Sequence, residues 1–194
     1  MITTLHIATS NEGKFSEMIR MMIPIGIEVI TENLPYPEIQ AKTLRRVVEY
    51  GSEWILDNDR RPWMDNPEHG FIIDDSGIFI KSLKDFPGVY SKFVFYSIGN
   101  PGILRLLEDI DRREAEFKTS LMLFMNGQFH YFEGISKGII SGEEQGTNGF
   151  GYDPIFIPDG SDRTFAEMDT DEKNHYSHRG AAMTEFISFF WSLK

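Results

Sequence analysis

The sequence predicts an α/β protein with a mixed central sheet and flanking helices. Apolar runs of strand length alternate with stretches whose apolar residues recur every three or four positions, and Asn126-Gly127 joins two long β-prone runs. Helices interleaved with strands, together with a long central hairpin, make the sheet mixed. Ile2 to Ala8 reads as a buried strand. Glu12 to Ile23 reads as the helix after it, because Phe15, Met18, Ile19 and Met22 fall on one apolar face. Pro24 and Gly26 end that helix, and Ile27 to Ile30 can form a second strand. After the turn-rich NLPYPE, Gln40 to Asp57 reads as a long helix with Ala41, Leu44, Val48, Gly51 and Ile55 at steps of three and four.

Asp57 to Gly70 is polar, contains Pro62 and Pro67, and is expected to be a surface excursion. Phe71 to Ile73 is a short apolar run that delivers Asp74 and Asp75 to its end. Pro101 to Ile110 reads as a helix with proline at its start, where the missing N–H costs little. Glu114 to Met125 and Gln128 to Ile140 form the hairpin around Asn126-Gly127. Ser177 to Leu193 closes the chain as a helix that Ser177 can cap, with Ala182, Phe186, Phe189 and Leu193 along one face.

Bulk composition bounds the function. The 194 residues suit one domain, or two lobes sharing a core. Hydrophobic residues at 41 % and charged residues at 25 % are ordinary for a globular chain in water. Nineteen basic against thirty acidic side chains give a net charge of −11, so the global field repels polyanions and argues against a nucleic-acid partner. Any phosphate site must therefore be built locally, from a few converging cations and backbone amides. The absence of cysteine excludes disulfides, thiolate metal sites and a cysteine nucleophile, and fits a reducing compartment. No apolar run is long enough to span a bilayer, and no signal-peptide pattern opens the chain. The expected location is cytoplasmic, with no membrane partner.

Three constellations carry chemistry. Thr9-Ser10-Asn11-Glu12-Gly13-Lys14 lies between a strand and a helix. Free N–H groups and the positive dipole end of such a helix form an anion site, and Lys14 adds a full charge one turn in. Ser10 or Asn11 could equally serve only as a helix cap, and the spacing is not that of a P-loop. Asp74-Asp75-Ser76-Gly77 sets two acids side by side, which on a regular strand point to opposite sides. One would bind Mg²⁺ or hold a water, and Glu38 is a candidate second ligand, since this hard cation takes one or two carboxylates and keeps waters. DDSG is also good chemistry for a turn between two strands. Lastly, the segment from Gly149 to Asp153 is a glycine-rich aromatic turn, followed by Lys173, His178 and Arg179. Singly these would be a structural corner and solvated charges; together they suit a planar base held by face and edge.

The chain resembles the inosine triphosphate pyrophosphatase family. ATSNEGK is similar to that family's phosphate-binding opening, YPEIQ and DDSG to its acidic motifs, FPGVYSKF to its middle signature, and GFGYDPIF, EKN and SHRGAA to its base-recognition half. The resemblance runs nearly the length of the chain, in the right order, with Asn148 standing where many relatives have glycine. It implies a single domain over 1–194, an elongated two-lobed fold around a central cleft, and a homodimer. It also implies Mg²⁺-dependent cleavage of ITP, dITP and XTP to a monophosphate and pyrophosphate. Position by position, Thr9, Asn11 and Lys14 would grip the phosphates, with Ser10, Glu12 and Gly13 in the same turn. Glu38 and Asp75 would manage the metal, Asp75 also as general base and Lys14 as the charge offsetting the leaving group. Ser76 would touch substrate, Phe150 would stack on the purine with Gly151, Tyr152 and Asp153 completing the wall, and Lys173, His178 and Arg179 would read the base edge. The alternatives are an enzyme of similar fold acting on other modified nucleotides and a non-hydrolytic nucleotide-binding regulator; intact ATSNEGK and DDSG argue against the latter.

Overall fold

In the computed structural model, which describes residues 2–193, strands and helices alternate along most of the chain. The strands are β1 (Thr4–Ala8), β2 (Glu28–Glu32), β3 (His69–Ile80), β4 (Phe86–Pro87), β5 (Glu114–Met125), β6 (Gln128–Ile140) and β7 (Phe156–Pro158). The helices are α1 (Glu12–Met22), α2 (Leu44–Asn58), α3 (Ser91–Leu106), α4 (Thr170–Tyr176) and α5 (His178–Ser192). One sheet runs in the order β2-β1-β3-β5-β6-β7, with β4 added to β3. It is mixed: β1 pairs in parallel with β2 and β3, whereas β4 and β7 pair antiparallel with β3 and β6. The hairpin between β5 and β6 turns at Asn126 and Gly127, whose φ values of 49° and 73° are the pair of positive angles a type I′ turn requires.

The chain divides into two compact units. The first comprises Met1–Asp75, Thr119–Glu133 and Ala182–Lys194. Strand alternation sorts its core into two layers. Leu5, Ile7, Ile72, Leu121, Leu123 and Met125 join Met18 and Met22 of α1 and Phe186 and Phe190 of α5. On the other face Phe71, Ile73, Met122 and Phe124 join Val48 and Ile55 of α2. The second unit comprises Ser76–Lys118 and Gly134–Ala181. Its core gathers Ile78 and Ile80 of β3, Val94 and Ile103 of α3, Phe117, and Phe156, Phe165 and Met168.

Several boundaries depart from the sequence expectations for identifiable reasons. Helix α2 starts at Leu44 rather than Gln40 because Thr43 caps it, its side chain accepting from the Arg46 N–H. Strand β3 does not stop at Ile73; it continues through DDSG to Ile80, so sheet pairing overrides the turn chemistry of those residues. Helix α3 begins at Ser91, well before Pro101, and breaks at Gly99 (φ 62°, ψ −171°), so that Pro101 opens its second segment. Ser177 caps α5 as expected, its Oγ accepting from Gly180 N–H at 3.0 Å, and also closes the short α4 that precedes it.

The stretch from Asp57 to Gly70 is more than a surface excursion. It contains a 3₁₀ turn, Pro62–Asp65, that buries Met64. It also lays the Trp63 ring on His6 of β1, centroids 3.6 Å apart and planes within 3°. His6 is itself buried between Glu32 (Nδ1 to Oε1, 2.9 Å) and His69 (Nε2 to Nδ1, 2.8 Å). Burial pushes the His6 imidazole below its ordinary 6.5, against the opposing pull of Glu32.

Two stability predictions follow from this packing. Because the unfolded chain protonates His6 more readily than the folded one, the stability linked to this group is complete above the unfolded value of about pH 6.5 and is lost as pH falls from there through the lower folded-state value. The urea midpoint of wild type should therefore drop more steeply below about pH 6.5 than that of His6→Gln; parallel profiles would show that His6 does not carry this dependence. Gly51 lies mid-helix in α2, and a Cβ there would stand 2.7 Å from the Tyr36 ring and 2.9 Å from Ile73 Cδ1. Overpacking costs about 1–3 kcal/mol and outweighs the roughly 1 kcal/mol of helix propensity gained, so Gly51→Ala should lower the melting midpoint. A raised midpoint would show that the Tyr36 ring yields freely.

Candidate active site

Eight of the sequence-predicted site residues fall in each unit. In the first, the turn after β1 becomes the start of α1. Asn11 caps the helix: its Oδ1 accepts from Lys14 N–H at 2.9 Å, and its own N–H donates to Thr9 Oγ1 at 3.1 Å. The capping role and the anion-binding role are compatible. Capping satisfies one first-turn amide, and Glu12 and Gly13 still present theirs at the positive end of the helix dipole. Ser10, Asn11 and Glu12 are exposed at this end, while Thr9, Gly13 and Lys14 are half-buried.

Lys14 does not wave in solvent. Its Nζ lies 3.2 Å from Asp74 Oδ2 and donates to the Asp74 carbonyl, also at 3.2 Å. Asp74 is buried and Asp75 only half-buried, so the two adjacent acids occupy different environments on one strand. Tyr36, in the loop before Glu38, reports on the same neighbourhood. Its hydroxyl is pushed far above the ordinary phenol range, first by burial and then by the negative charges of Asp74, Asp75 and Glu38. Glu38 and Asp75 thus both bear on one half-buried phenol.

In the second unit, the glycine-rich turn is clasped from within. Asp153 Oδ2 accepts from Phe150 N–H at 2.7 Å and from Lys173 Nζ at 2.5 Å, and both Asp153 and Lys173 are buried. Gly149 (φ 73°) is required at this bend, since a Cβ there would stand 2.1 Å from Asp153 Oδ2. Lys173 Nζ sits 4.7 Å from the Phe150 ring centroid and Arg179 Cζ 5.9 Å from it. Arg179 is almost wholly buried and its Nη2 donates to Ser76 Oγ at 2.9 Å. His178 stacks on Phe117 at 4.6 Å. Tyr152 is buried, which raises its hydroxyl above the ordinary range, and it donates to the Ser91 carbonyl at 2.8 Å. Phe150, Asp153, Lys173, Arg179 and Ser76 therefore form one connected set, while Gly151 is tied through its carbonyl to Asn100 and Tyr152 through its hydroxyl to Ser91.

Three contributors were not among the expected site residues. Asp74 holds Lys14, and its only sequence signal is its place beside Asp75. Ser91, from the FPGVYSKF signature, accepts from Ile78 N–H at 2.8 Å and donates to the Gly88 carbonyl at 2.6 Å. That clip brings the Gly88 carbonyl within 2.2 Å of where a Cβ on Gly77 would be, so the glycine of DDSG is fixed by a close backbone approach. Asn148 donates to the Met168 carbonyl at 3.1 Å while its own N–H reaches the Ala166 carbonyl, so this departure from glycine adds a side-chain tie to the turn.

The family model described as the Ham1 family matches residues 5–189. A Thermococcus kodakarensis protein named dITP/XTP pyrophosphatase is 48 % identical over 95 % of this chain and 96 % of its own length. A Pyrococcus horikoshii protein of the same name is 47 % identical over 93 % of both. Among solved structures, a HAM1 protein from Coxiella burnetii superposes with a TM-score of 0.79 at 28 % identity, covering 99 % of this chain and 100 % of that one. The chain belongs to the Ham1 family.

Proposed function

We propose that this protein hydrolyses the triphosphates of deaminated purines (dITP, ITP and XTP) to the nucleoside monophosphate and pyrophosphate, removing them from the nucleotide pool. The observation that carries this reading is the buried cluster of Lys173 and Arg179 around the Phe150 ring, in a chain whose relatives are named for dITP and XTP. An aromatic face with fixed donors beside it suits a planar, oxygen-bearing base. The phosphates belong to the first unit, where the Thr9 to Lys14 turn supplies helix-start amides and one held cation.

In this reading Asp75 accepts a proton from the attacking water as its oxygen bonds to the α-phosphorus. The bond from that phosphorus to the β-phosphate oxygen breaks, and pyrophosphate departs with its charge offset by Lys14. Asp74 positions Lys14 through the ion pair and its own carbonyl. Mg²⁺ fits the donor set: Glu38 and Asp75 are hard oxygen ligands in one negative field, and this ion needs only one or two carboxylates beside phosphate oxygens and waters. When bound, it would neutralise charge on the phosphate oxygens.

Hypoxanthine and xanthine offer an O6 acceptor and an N1–H donor, and adenine reverses both. Lys173, His178 and Arg179 carry the donors that read O6, and a mismatched base leaves buried polar groups unmatched at about 1–3 kcal/mol each. Asp153 already accepts from Phe150 and Lys173, so its part is to hold the wall that the base meets. Ser76 orients Arg179. The reading includes a homodimer, for which Phe93 and Tyr96 of α3 offer apolar surface, 73 % and 79 % exposed, and a cytoplasmic setting. No helix among the described residues is long and apolar enough to cross a membrane.

Incubation with dITP and Mg²⁺ should yield dIMP and pyrophosphate in equal amounts with no accumulation of dIDP. Orthophosphate released before any pyrophosphate would refute the reading. Asp75→Asn should lower turnover at least ~100-fold, the usual contribution of a general base. Asp74→Asn should cost less, because Lys14 keeps its bond to the residue 74 carbonyl. The reverse order of the two variants would reassign the base.

A further inference from the structure

We propose that Asn100 is a positioning residue for base recognition, setting the Gly151 carbonyl and thereby the wall on which the base rests. The proposal rests on the activity read above. Asn100 lies in α3 between the break at Gly99 and Pro101, the point where the helix restarts. An asparagine at a helix start ordinarily turns its side-chain oxygen toward the free amides of the first turn. Here the amide is oriented the other way: Nδ2 donates to the Gly151 carbonyl at 3.1 Å. Its Oδ1 is buried and has no partner among the described residues. Flipping the amide would set Oδ1 against the Gly151 oxygen, two acceptors face to face, so the orientation is fixed by chemistry.

An asparagine selected for stability alone would satisfy both ends of its amide, since a buried unpaired acceptor is disfavoured. Asn100, only 6 % exposed, leaves one end unmatched in order to reach Gly151. The effect on the turn is specific. Phe150 N–H is held by Asp153, Gly151 O by Asn100, and Tyr152 Oη by the Ser91 carbonyl. Gly151 itself has φ 64° and open space around its Cβ position, so packing does not restrain it. The Asn100 bond is what holds the peptide between Gly151 and Tyr152, because in a planar trans peptide the direction of the carbonyl also sets the direction of the next N–H. Without it that peptide can rotate, moving the backbone groups next to Phe150 while leaving Asp75 and Lys14 in place.

Asn100→Asp and Asn100→Ser test this, since both fit within the volume of asparagine and remove the amide donor. Steady-state kinetics with dITP and dATP, pyrophosphate release and melting midpoints are measured on wild type and both variants. The expected result is a KM for dITP raised about tenfold with kcat within about threefold, and a dITP/dATP ratio of kcat/KM reduced about tenfold, in folded protein. A ratio unchanged in folded variants overturns the proposal, and so does failure of both variants to fold, which would make Asn100 a structural residue. A wild-type enzyme that shows no preference for dITP over dATP instead refutes the activity on which the proposal rests.

Discussion

The ion pair between Asp153 and Lys173 is the constraint on which the glycine-rich turn of the second unit depends. Both side chains are buried, and taking two charges out of water is tolerable only when their remaining donors and acceptors are satisfied. Asp153 meets that demand by accepting from the Phe150 amide as well, which draws the glycine-rich turn into a fixed loop. The positive φ of Gly149 and the close approach of the Asp153 carboxylate to it, which leaves no room for a Cβ, follow from that closure. Removing one partner would leave a buried charge uncompensated, at about 3–5 kcal/mol. Lys173 is then held against the Phe150 ring, and its position is inherited from the clasp rather than chosen independently.

The acidic half obeys a different constraint. A chain with a net charge of −11 cannot attract a triphosphate by its global field, so the proposed phosphate site requires its few cations to be held in place. Asp74 does this for Lys14 by charge and by carbonyl, while its neighbour Asp75 keeps a more open environment on the same strand. In the proposed reading, adjacent strand positions thereby separate two tasks that one carboxylate could not perform together: holding a lysine and accepting a proton from water. That separation needs β3 to continue as strand through DDSG, which the Gly88 carbonyl over Gly77 and the Ser91 hydroxyl on Ile78 N–H both enforce.

How much of this could be read in the sequence depended on whether the cause was local. The Asn126-Gly127 turn, the α1 face and the Ser177 cap depend on a few neighbouring residues, and they appear as expected. The first segment of α3 was missed because SKFVFYSI is rich in aromatic and β-branched residues and has no one-sided apolar face. DDSG reads as a turn by itself, and only its long-range neighbours make it strand. The same holds for the loop around Trp63, whose polarity hides a ring that lands on His6, far back in the chain. The candidate site residues were visible as motifs, but nothing in the sequence indicates that Lys173 and Arg179 are buried, or that Asp74 rather than solvent holds Lys14. Asn100 carries no local signal at all, because its partner lies on another element.

In the proposed reading, discrimination between a deaminated purine and adenine would explain why so much of the second unit is given to holding one turn. The two classes of base have nearly the same shape and differ mainly in which edge atoms donate and which accept, so contact area cannot separate them. Only donors that keep their direction can do so, since a mobile group would turn to suit either base and erase the difference. Long cationic side chains are poor at keeping direction when solvated; Lys173 and Arg179 are therefore buried and tied to Asp153 and Ser76. Backbone groups of a glycine-rich turn are poor at it as well, and Phe150, Gly151 and Tyr152 are accordingly held at three successive residues by Asp153, Asn100 and Ser91. The conformational freedom that lets glycine form the turn is the same freedom that must be removed for the turn to discriminate.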